Sequence, residues 1–485
     1  FAGSILIAMF AVEKEFEPKM DMGELGISFE MELGTPLEKT LQTAKSLERD
    51  IREFGRKEIK EVFTTVGGGA YGKVNEGYIY VKISSKTERD FTQFEFQDDL
   101  REVLQKKYPG LNIKIAEFDP GGDIKGAAVM LSIRGPDFEK LQELSRSIIG
   151  DMEEHGGFIE IDTSFETGKP EIPLYIDREA AAREGISAVS IASAVNTLVG
   201  GAEVLTYKES GKQYEVRLRL AGAARDSVED IYSLSVRSPL TGKLILLRNL
   251  LRPVSSGRGL SQITRGDRQR EITVMSNLDD TKLKLGTAVD ILKKLCWKHG
   301  LPVYGEKNEG LDNGDALRGY TAKFTGMAEI MKESFASLGT ALIIGIVFIY
   351  MILAAQFNKF VPPFAVMFSL PLSVVGIFGA MWLTDQTLNI MAQISIIMLM
   401  GLVAKNAILL VDYTELLRRE GRDRTDAIIE GGCVRLRPIL MTALSTIFGM
   451  LPAAISMSEG AEMRKTMAIC AIGGLITSTF LTLIV

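Results

Sequence analysis

Five long apolar stretches in the last third of the sequence constrain the fold more than any other feature. Each has close to the roughly 20 residues that an α-helix needs to cross the hydrocarbon of a bilayer, and each contains almost no charge. We therefore predict transmembrane helices at about 335–357, 361–383, 388–412, 437–457 and 466–485. Residues 13–333 are rich in charge and contain no run of that length, so the mean hydropathy of +0.12 is an average over two different regions.

The first twelve residues, Phe1 to Val12, are also apolar, but they make only about half of a span. We interpret them as the end of a truncated transmembrane helix and expect the chain to be incomplete. A signal peptide is the alternative, but no basic leader precedes the run, and Glu13 to Phe16 provide no small-residue cleavage site.

Composition argues against several classes of function. The three cysteines, Cys296, Cys433 and Cys470, are far apart and imply no disulfide framework. His155 and His299 lie in polar stretches without a ligand pattern, so no metal site is predicted. The net charge of −6 without a basic face argues against a nucleic-acid partner. The sequence shows neither a nucleophile paired with a base nor a nucleotide-binding loop, so it does not indicate an enzyme or a bound cofactor.

The loops between the spans predict the orientation of the chain. The loop at 384–386 carries no base, whereas six arginines lie between the third and fourth spans, namely Arg418, Arg419, Arg422, Arg424, Arg435 and Arg437. By the positive-inside rule the arginine-rich loop is cytoplasmic. Counting back three crossings places residues 13–333 on the opposite, extracytoplasmic side. Within the arginine-rich loop, residues 424–434 could form a short surface helix.

Periodicity in the extracytoplasmic region predicts a split βαβ unit. Alternating apolar residues indicate strands, and apolar residues at helical spacing indicate helices. The predicted order is strand 27–33, helix 37–51, strand 62–66, strand 78–83, helix 90–106 and strand 113–118. A second, interrupted copy is predicted from strands 128–133, 158–162 and 272–276 and from helices 136–153 and 283–295.

The second copy is interrupted by an insertion at about 170–258. The insertion contains a predicted helix at 187–198 and a hairpin at 204–220 that turns at Glu209 to Lys212. A projecting hairpin could dock another subunit or protein, because edge strands recruit partners, and an ordinary surface hairpin is the alternative.

A glycine-rich loop, Gly67 to Gly72, joins two of the predicted strands. It does not lead into a helix and lacks a Gly-Lys-Ser ending, which argues against a phosphate site. Tyr71 in the loop, together with Phe63 and Tyr80 on the flanking strands, favours contact with an apolar ligand.

Lys405 is the only ionisable residue between Asp385 and Asp412, inside the third predicted span. A charge within a span costs about 2.5 to 3.5 kcal/mol on insertion scales, which makes Lys405 a candidate functional residue. The alternative is a lysine that extends to the cytoplasmic interface, but the end of the span is about 10 Å away. A buried ammonium needs a carboxylate. Apart from Asp412, at the end of the third span, the predicted spans contain no Asp or Glu. We therefore expect the carboxylate partner of Lys405 on another polypeptide segment.

Two further residues could extend a proton relay from Lys405. Thr442 lies in the fourth span, near its cytoplasmic entrance, and a hydroxyl facing Lys405 would continue the relay. The alternative is that this hydroxyl bonds its own backbone, as hydroxyls in membrane helices usually do. Arg435 either anchors the helix at the cytoplasmic mouth or sets the electrostatic field there.

Three linked motifs carry a resemblance that covers essentially the whole chain. They are Gly401-Leu-Val-Ala-Lys405-Asn406-Ala-Ile-Leu, Arg435-Leu-Arg437-Pro438-Ile-Leu-Met-Thr442 and Phe448-Gly449-Met450-Leu451-Pro452. They resemble the C-terminal membrane half of resistance-nodulation-division pumps of the hydrophobe/amphiphile efflux branch. The resemblance implies an α+β membrane protein, in which a helical transmembrane bundle is joined to a periplasmic porter domain of ferredoxin-like split βαβ units with an inserted docking domain.

The same resemblance implies boundaries for these parts. Residues 1–12 would be the truncated seventh helix, 13–122 the first porter subdomain, 123–169 with 259–333 the second porter subdomain, 170–258 the docking subdomain, and 334–485 helices eight to twelve.

Residue by residue, the resemblance also implies functional positions. Lys405, Thr442 and Arg435 match the family's proton-relay positions, and the two relay aspartates belong to a fourth helix that this sequence lacks. In the porter region, Phe63 and Tyr80 match aromatic positions of the drug pocket.

The resemblance extends to the glycine-rich loop and its flank. Lys73 matches a basic position of the drug pocket. The loop matches the family's switch loop through Gly67, Gly68, Gly69, Ala70 and Gly72. Gly68 and Ala70 stand where well-known members have phenylalanines.

As a member of this family, the protein is expected to export hydrophobic or amphiphilic compounds in exchange for protons. The expected assembly is a homotrimer in the bacterial inner membrane, working with a periplasmic adaptor and an outer-membrane channel, with no cofactor. One alternative is a heavy-metal cation pump of the same superfamily, which would use methionines in its cleft. Most methionines lie in or beside the spans, and the others are expected to form no cluster. The other alternative is a non-transporting accessory of protein export.

Overall fold

The computed structural model describes residues 12–55, 58–67, 73–119, 123–124, 126–165, 168, 170–225, 227–252, 257–258, 262–279, 281–308 and 317–484. The chain forms two compact units, a larger one of Phe1–Phe165 with Ile263–Val485 and a smaller one of Glu166–Gln262. The predictions for residues 1–11 lie outside the described residues, as do those for Gly68, Gly69, Ala70, Tyr71 and Gly72.

The larger unit begins with an antiparallel sheet that packs against two helices. Its elements are β1 (Glu24–Glu30), α1 (Leu37–Phe54), β2 (Ile59–Val66), β3 (Glu76–Ile83), α2 (Gln93–Lys107) and β4 (Asn112–Asp119). The strands pair in the order β2-β3-β1-β4, and the two-residue strand Asp123–Ile124 extends the sheet beyond β4. Alternating residues of β1, such as Leu25 and Ile27, share one core with Leu47 and Ile51 of α1. The order predicted from periodicity is confirmed.

The second sheet repeats this arrangement in two segments of sequence. Its elements are β5 (Val129–Gly135), α3 (Phe138–His155), β6 (Phe158–Thr163), β7 (Gln269–Leu278), α4 (Leu285–Lys298) and β8 (Thr321–Thr325). The order is β6-β7-β5-β8, which is that of the first sheet. The interrupted second copy is therefore confirmed. The strand β8 was not predicted, because Ala322 and Phe324 are its only apolar residues and give a weak alternation.

Side-chain caps move two predicted helix starts. The helix predicted from residue 90 begins at Gln93, because the Thr92 hydroxyl accepts the Glu95 N–H and the Glu95 carboxylate accepts the Thr92 N–H. The helix predicted from residue 136 begins at Phe138, because the Asp137 carboxylate accepts the Glu139 N–H.

The smaller unit contains the predicted helix and hairpin. The helix Ala188–Val195 continues as a π-helical turn, Asn196–Gly200. The hairpin strands are Ala202–Glu209 and Lys212–Leu218, and the turn residues Ser210 and Gly211 both have positive φ, which suits the twist of a tight hairpin. The other helices and strands of three residues or more in the described part of this unit are Arg178–Arg183, the 3-10 helices Gly222–Ala224 and Leu247–Asn249, Val228–Ser233, Ser235–Arg237 and Leu244–Leu246.

Among the described residues of the larger unit, five helical segments are long and apolar enough to cross a membrane. They are α5 (Met327–Phe357), α6 (Val361–Met367) with α7 (Ser369–Leu383), α8 (Ile390–Arg419), α9 (Arg424–Ile455) and α10 (Glu462–Ile484). They coincide with the five apolar stretches of the sequence.

The second span covers Val361–Leu383, as predicted, with only Phe368 between α6 and α7. One prediction for this region is wrong. Residues 424–434 are not a separate surface helix, because they form the start of α9, which continues through Pro438 and Pro452 to Ile455. Membrane helices tolerate proline where neighbouring groups satisfy the freed carbonyl.

Glycines allow α7 and α10 to pack with their backbones in close contact. A Cβ atom on Gly376 would lie 2.3 Å from the Gly473 carbonyl oxygen, and one on Gly473 would lie 2.7 Å from the Gly376 carbonyl oxygen. Few residues in the apolar parts of α5 and α9 are buried against other described residues. These two helices therefore lie at the periphery of the bundle that the described membrane helices form.

Candidate functional site

Lys405 lies in the middle of α8, on the side that the described chain leaves uncovered. Ala404, Asn406 and Ala407 are each 4% exposed, whereas Lys405 is exposed. The helix therefore packs one side into the bundle and directs the lysine away from it.

The carboxylates nearest to Lys405 along α8 lie further towards its C-terminus. Because α8 continues to Arg419, it contains Asp412 and Glu415, so the expectation of spans without carboxylates holds only for their apolar parts. Glu415 forms an ion pair with Lys359 and lies 3.9 Å from the Arg419 Nε atom. Asp412 is about 10 Å from Lys405 along the helix axis. None of the ion pairs formed among the described residues includes Lys405.

The hydroxyl of Thr442 in α9 bonds its own backbone. Its Oγ1 atom donates to the Ile439 carbonyl over 3.0 Å, and the Thr446 hydroxyl donates to the Thr442 carbonyl over 2.8 Å. The hydrogen bonds of the described residues do not join Thr442 to Lys405. The Thr442 oxygen still has lone pairs that can accept a hydrogen bond from another group.

Arg435 is held against α8 by an aromatic ring. Its guanidinium carbon lies 4.7 Å from the ring centroid of Tyr413, which is within the range of a cation–π interaction. Its Nε–H is buried and has no acceptor among the described residues. This donor therefore remains available to a partner outside the described residues.

The aromatic residues predicted to bind substrate lie together on the first sheet. Phe63 of β2 is directly opposite Tyr80 of β3, and it is 65% exposed. The Tyr80 ring contacts Phe118 of β4 edge-on, with 4.9 Å between centroids. Burial, followed by a hydrogen bond to Glu24, raises the pKa of Tyr80. The three rings therefore form one aromatic row across the sheet.

The structure tests the remaining predicted substrate residues only in part. Lys73 pairs with Glu76, with 2.7 Å between Nζ and Oε1. Gly67 has a positive φ of 68° at the start of the glycine-rich loop, a conformation that favours glycine. Tyr71 lies outside the described residues.

Three cavities in the larger unit share lining residues and form a continuous cleft. A cavity of about 110 Å³ and one of about 340 Å³ are both lined by Arg101 and Ile159. The first cavity and a third one, also of about 340 Å³, are both lined by Phe16 and Met327. Here "the cleft" means the space lined by these three groups of residues. It was not predicted, because its lining residues are distant in sequence and only the fold brings them together.

One end of the cleft reaches the membrane helices. The second cavity is lined by Gln386 and Thr387, just before α8, and by Glu462 and Lys465 at the start of α10. The opposite end reaches the aromatic row, because Phe118 lines the third cavity.

The third cavity is rich in thioethers and carboxylates. Its lining includes the methionines Met20, Met22, Met130 and Met327 and the carboxylates Glu17, Glu24 and Glu117. Among its described lining residues there is no lysine or arginine. The expectation that the methionines outside the spans form no cluster is therefore wrong. The reason is that β5 and the start of α5 bring Met130 and Met327 beside the chain that enters β1.

The segment that precedes β1 joins α8 to the second sheet. The Phe16 carbonyl accepts the Ile390 N–H over 3.1 Å at the start of α8, and the Lys14 carbonyl accepts the Gly286 N–H over 3.0 Å in the first turn of α4. Phe16 also lines the cleft. The helix that carries Lys405 and the wall of the cleft therefore share one segment.

Comparison with known proteins places these features in a family. The chain matches the AcrB/AcrD/AcrF family over residues 1–485. It is 26% identical over 494 residues to the cobalt-zinc-cadmium resistance protein CzcA of Cupriavidus metallidurans. This alignment covers 97% of this chain and 44% of that protein. It is also 26% identical over 481 residues to the multidrug resistance protein MdtC of Escherichia coli, covering 98% of this chain and 44% of that protein.

Two further comparisons agree in extent. The swarming motility protein SwrC of Bacillus subtilis is 25% identical over 472 residues, which cover 96% of this chain and 42% of that protein. The crystal structure of a heavy metal efflux pump superposes with a TM-score of 0.82 at 23% identity, over 100% of this chain and 49% of that chain. The fold is therefore shared, and the chain spans under half the length of the curated relatives it matches.

Proposed function

The chain belongs to the AcrB/AcrD/AcrF family, within the resistance-nodulation-division superfamily, and we propose that it is the C-terminal half of a pump that exports hydrophobic or amphiphilic compounds in exchange for protons. The observation that carries this proposal is the position of Lys405. An ammonium group in the middle of an apolar helix is costly, and such groups mark proton and ion pathways in transporters. Lys405 is also directed away from the bundle, towards partners outside the described residues.

In the proposed relay, Lys405 pairs with carboxylates from a helix that this chain does not contain. An ammonium and a carboxylate in contact change each other's proton affinity, so a proton that binds the carboxylate would release the lysine. Thr442 and Arg435 would complete the relay on the α9 side. The buried Nε–H of Arg435, which lacks an acceptor among the described residues, supports a partner of this kind.

The arginine-rich loop supports a cytoplasmic position for the connection between α8 and α9. The two sheets and the inserted unit would then be periplasmic. In this arrangement, residues 13–122, and 123–169 with 259–333, act as porter subdomains. Residues 170–258 act as a docking subdomain, and 334–485 are membrane helices of the bacterial inner membrane.

The cleft is the proposed path of the substrate. Two of its cavities, of about 340 Å³ each, are at the lower end of the range of about 300 to 1000 Å³ that is typical of small-molecule sites, and the first, of about 110 Å³, is a narrower connection between them. An amphiphile that leaves the membrane surface would enter at Gln386 and Thr387 and pass towards Phe118. Phe118 would transfer it to Tyr80 and Phe63, with Tyr71 and Lys73 nearby in sequence.

The proposed assembly is a homotrimer that works with a periplasmic adaptor and an outer-membrane channel. The hairpin of the smaller unit supports a docking role, because Glu203–Glu209 and Lys212–Leu218 are exposed along their whole length. Exposed strands of this kind can pair with another chain.

Substitution of Lys405 tests the proposal in cells that express the protein from its complete gene. Lys405→Ala is expected to lower the rate of dye efflux by about 100-fold or more, within the range that a positioned proton-transfer group contributes. The matched control is Lys359→Ala, which removes another lysine of the helical region, one that pairs with Glu415. Unchanged efflux by Lys405→Ala would contradict the relay, whereas efflux that does not depend on the protein at all would favour a non-transporting accessory.

The four methionines of the third cavity favour a second candidate, the export of a soft metal cation such as Cu(I). Thioethers are soft ligands that suit Cu(I). Met20→Leu, Met22→Leu and Met130→Leu keep the side chains apolar and close to their original size while removing sulfur. The metal candidate predicts that these changes abolish tolerance to copper, whereas the amphiphile candidate predicts that copper tolerance does not depend on the protein and that dye efflux persists.

A further inference from the structure

We infer that Glu160 is a latch that holds the two sheets together across the cleft. The inference rests on the proposed function, in which the cleft opens to admit a substrate and closes again. It concerns a single glutamate whose backbone conformation is unusual and whose carboxylate joins the two sheets.

Glu160 occupies a backbone position that favours glycine. The pairing of β6 with β7 shifts register between Met275 and Asn277, so Glu160 and Ile161 lie opposite the single residue Ser276 in a β-bulge. The φ angle of Glu160 is +53°. In bulges of this kind the first residue is commonly glycine, because other residues are strained there. A glutamate at this position therefore needs a compensating interaction of its side chain.

The carboxylate of Glu160 provides that interaction. Its side chain is 1% exposed. One oxygen accepts hydrogen bonds from the Arg101 Nε atom, over 2.8 Å, and from the Ile115 N–H, over 3.0 Å. The other oxygen accepts from the Asn277 side-chain amide over 2.7 Å. Arg101 and Ile115 belong to the first sheet and its helix, whereas Glu160 and Asn277 belong to the second sheet.

The contact is made at the edge of β4 and is polar throughout. The Ile115 N–H donates to Glu160, and the Ile115 carbonyl accepts from Arg101 over 3.0 Å. Beside it, Lys114 and Asp162 form an ion pair across the same gap. Water can replace hydrogen bonds of this kind when they break, whereas an apolar core cannot separate without exposing its surface. The two sheets can therefore part here and join again.

The latch and the cleft share residues. Arg101, Ile115 and Asn277, which bond Glu160, all line the first cavity. Release of Glu160 would relieve its backbone strain and separate two walls of the cleft at the same time. The bonds of Glu160 therefore oppose the strain, and the balance between them sets the fraction of molecules with a closed cleft.

A distance measurement between spin labels tests the latch in the purified complete protein. The labels are placed at Gln105 in α2 and Glu153 in α3, both exposed, after the exposed Cys433 is replaced by serine. Glu160→Gly removes the carboxylate and suits the backbone. We expect it to shift the ratio of closed to open molecules about tenfold towards the longer distance, a typical coupling magnitude. Glu160→Gln retains one acceptor oxygen, and a smaller shift in the same direction is expected.

Asp267→Gly is the matched control. Asp267 also has a positive φ, of 48°, and also pairs with an arginine, Arg134, but this pair lies within the second sheet. Its label distances should match those of the parent protein. The latch would be overturned if both Glu160 variants kept the parent distances, or if Asp267→Gly shifted them equally. If Glu160→Gly does not fold, Glu160→Gln alone decides. These distances need no proton gradient, so they remain informative even if Lys405→Ala leaves efflux unchanged and removes the proposed relay.

Discussion

Charged groups in the two sheets and in the membrane helices are satisfied in different ways. Asp21 and Arg89 form an ion pair whose side chains are only 3% and 0% exposed, and the Gln93 N–H donates to the second Asp21 oxygen over 3.2 Å. By contrast, Lys405 forms no ion pair with a described residue, and the buried Nε–H of Arg435 has no acceptor within the described part of the chain. The sheet region pairs its buried charges among the described residues, although the Gln97 side-chain amide has no partner there, whereas Lys405 and the Arg435 Nε–H of the helices lack one.

The difference has a physical cause. A buried charge without a partner is costly in any protein, and it is most costly in hydrocarbon, where no water can replace the missing group. Unpaired groups in the helices therefore indicate partners outside the described residues. The length comparison agrees with this, since the chain spans under half of each relative described above.

The largest effect is expected when the buried ion pair of the sheet region is broken. Asp21→Ala leaves the Arg89 guanidinium buried without its carboxylate, which costs about 3 to 5 kcal/mol. Hydrogen exchange of the complete protein should show much faster exchange at the start of α2, where the Gln93 N–H loses its acceptor. The control is Glu143→Ala, which breaks an exposed pair with Lys140 and should cost only a few tenths of a kcal/mol. Equal exchange in the two variants would break the comparison.

A smaller effect is expected at a partly exposed cluster of the second sheet. Hydrogen bonds from Lys298 and then from His299 hold the pKa of Asp151 below its usual 3.8. A carboxylate with a lowered pKa stabilises the fold above its unfolded pKa, and this stabilisation is lost as the pH falls through the folded pKa. Asp151→Asn should therefore destabilise the second sheet by about 0.5 to 1 kcal/mol at pH 7. The difference from the parent protein should disappear as the pH falls below 3.8.

The fluorescence of Trp297, which lies in α4 one residue before Lys298, reports this unfolding once Trp382 is replaced by phenylalanine. A difference between Asp151→Asn and the parent that persisted unchanged at pH 3 would show that the loss is one of packing rather than of charge.

Much of the fold could be predicted from the sequence, because two simple periodicities determine it. The five membrane segments follow from hydropathy, and the two split βαβ sheets follow from alternation and helical spacing. The errors occurred where a local rule was overridden. The fourth span was expected from residue 437 and a separate surface helix at 424–434, but α9 begins at Arg424 and passes through Pro438, since membrane helices tolerate proline. The helix α8 also extends beyond its apolar part to Arg419, because helix formation does not end at the membrane surface.

The candidate site could be predicted only where a single residue carried the signal. Lys405 is recognisable because it is the lone charge of an apolar helix. The methionine-lined cavity is not, because Met20, Met130 and Met327 are far apart in sequence and the fold alone brings them together. Glu160 gave no signal either, because neither its positive φ nor its bonds to Arg101 can be read from a single sequence.

The central claim, that Lys405 is one side of a proton relay, is tested most directly by proton flux. The complete protein and its Lys405→Met variant, which keeps the length of the side chain without its charge, are reconstituted in liposomes with a pH gradient and an internal pH-sensitive dye. The account predicts that an amphiphilic substrate stimulates proton flux through the parent protein, and that Lys405→Met binds the same substrate but gives no stimulated flux. Stimulated flux through Lys405→Met at the level of the parent would contradict it.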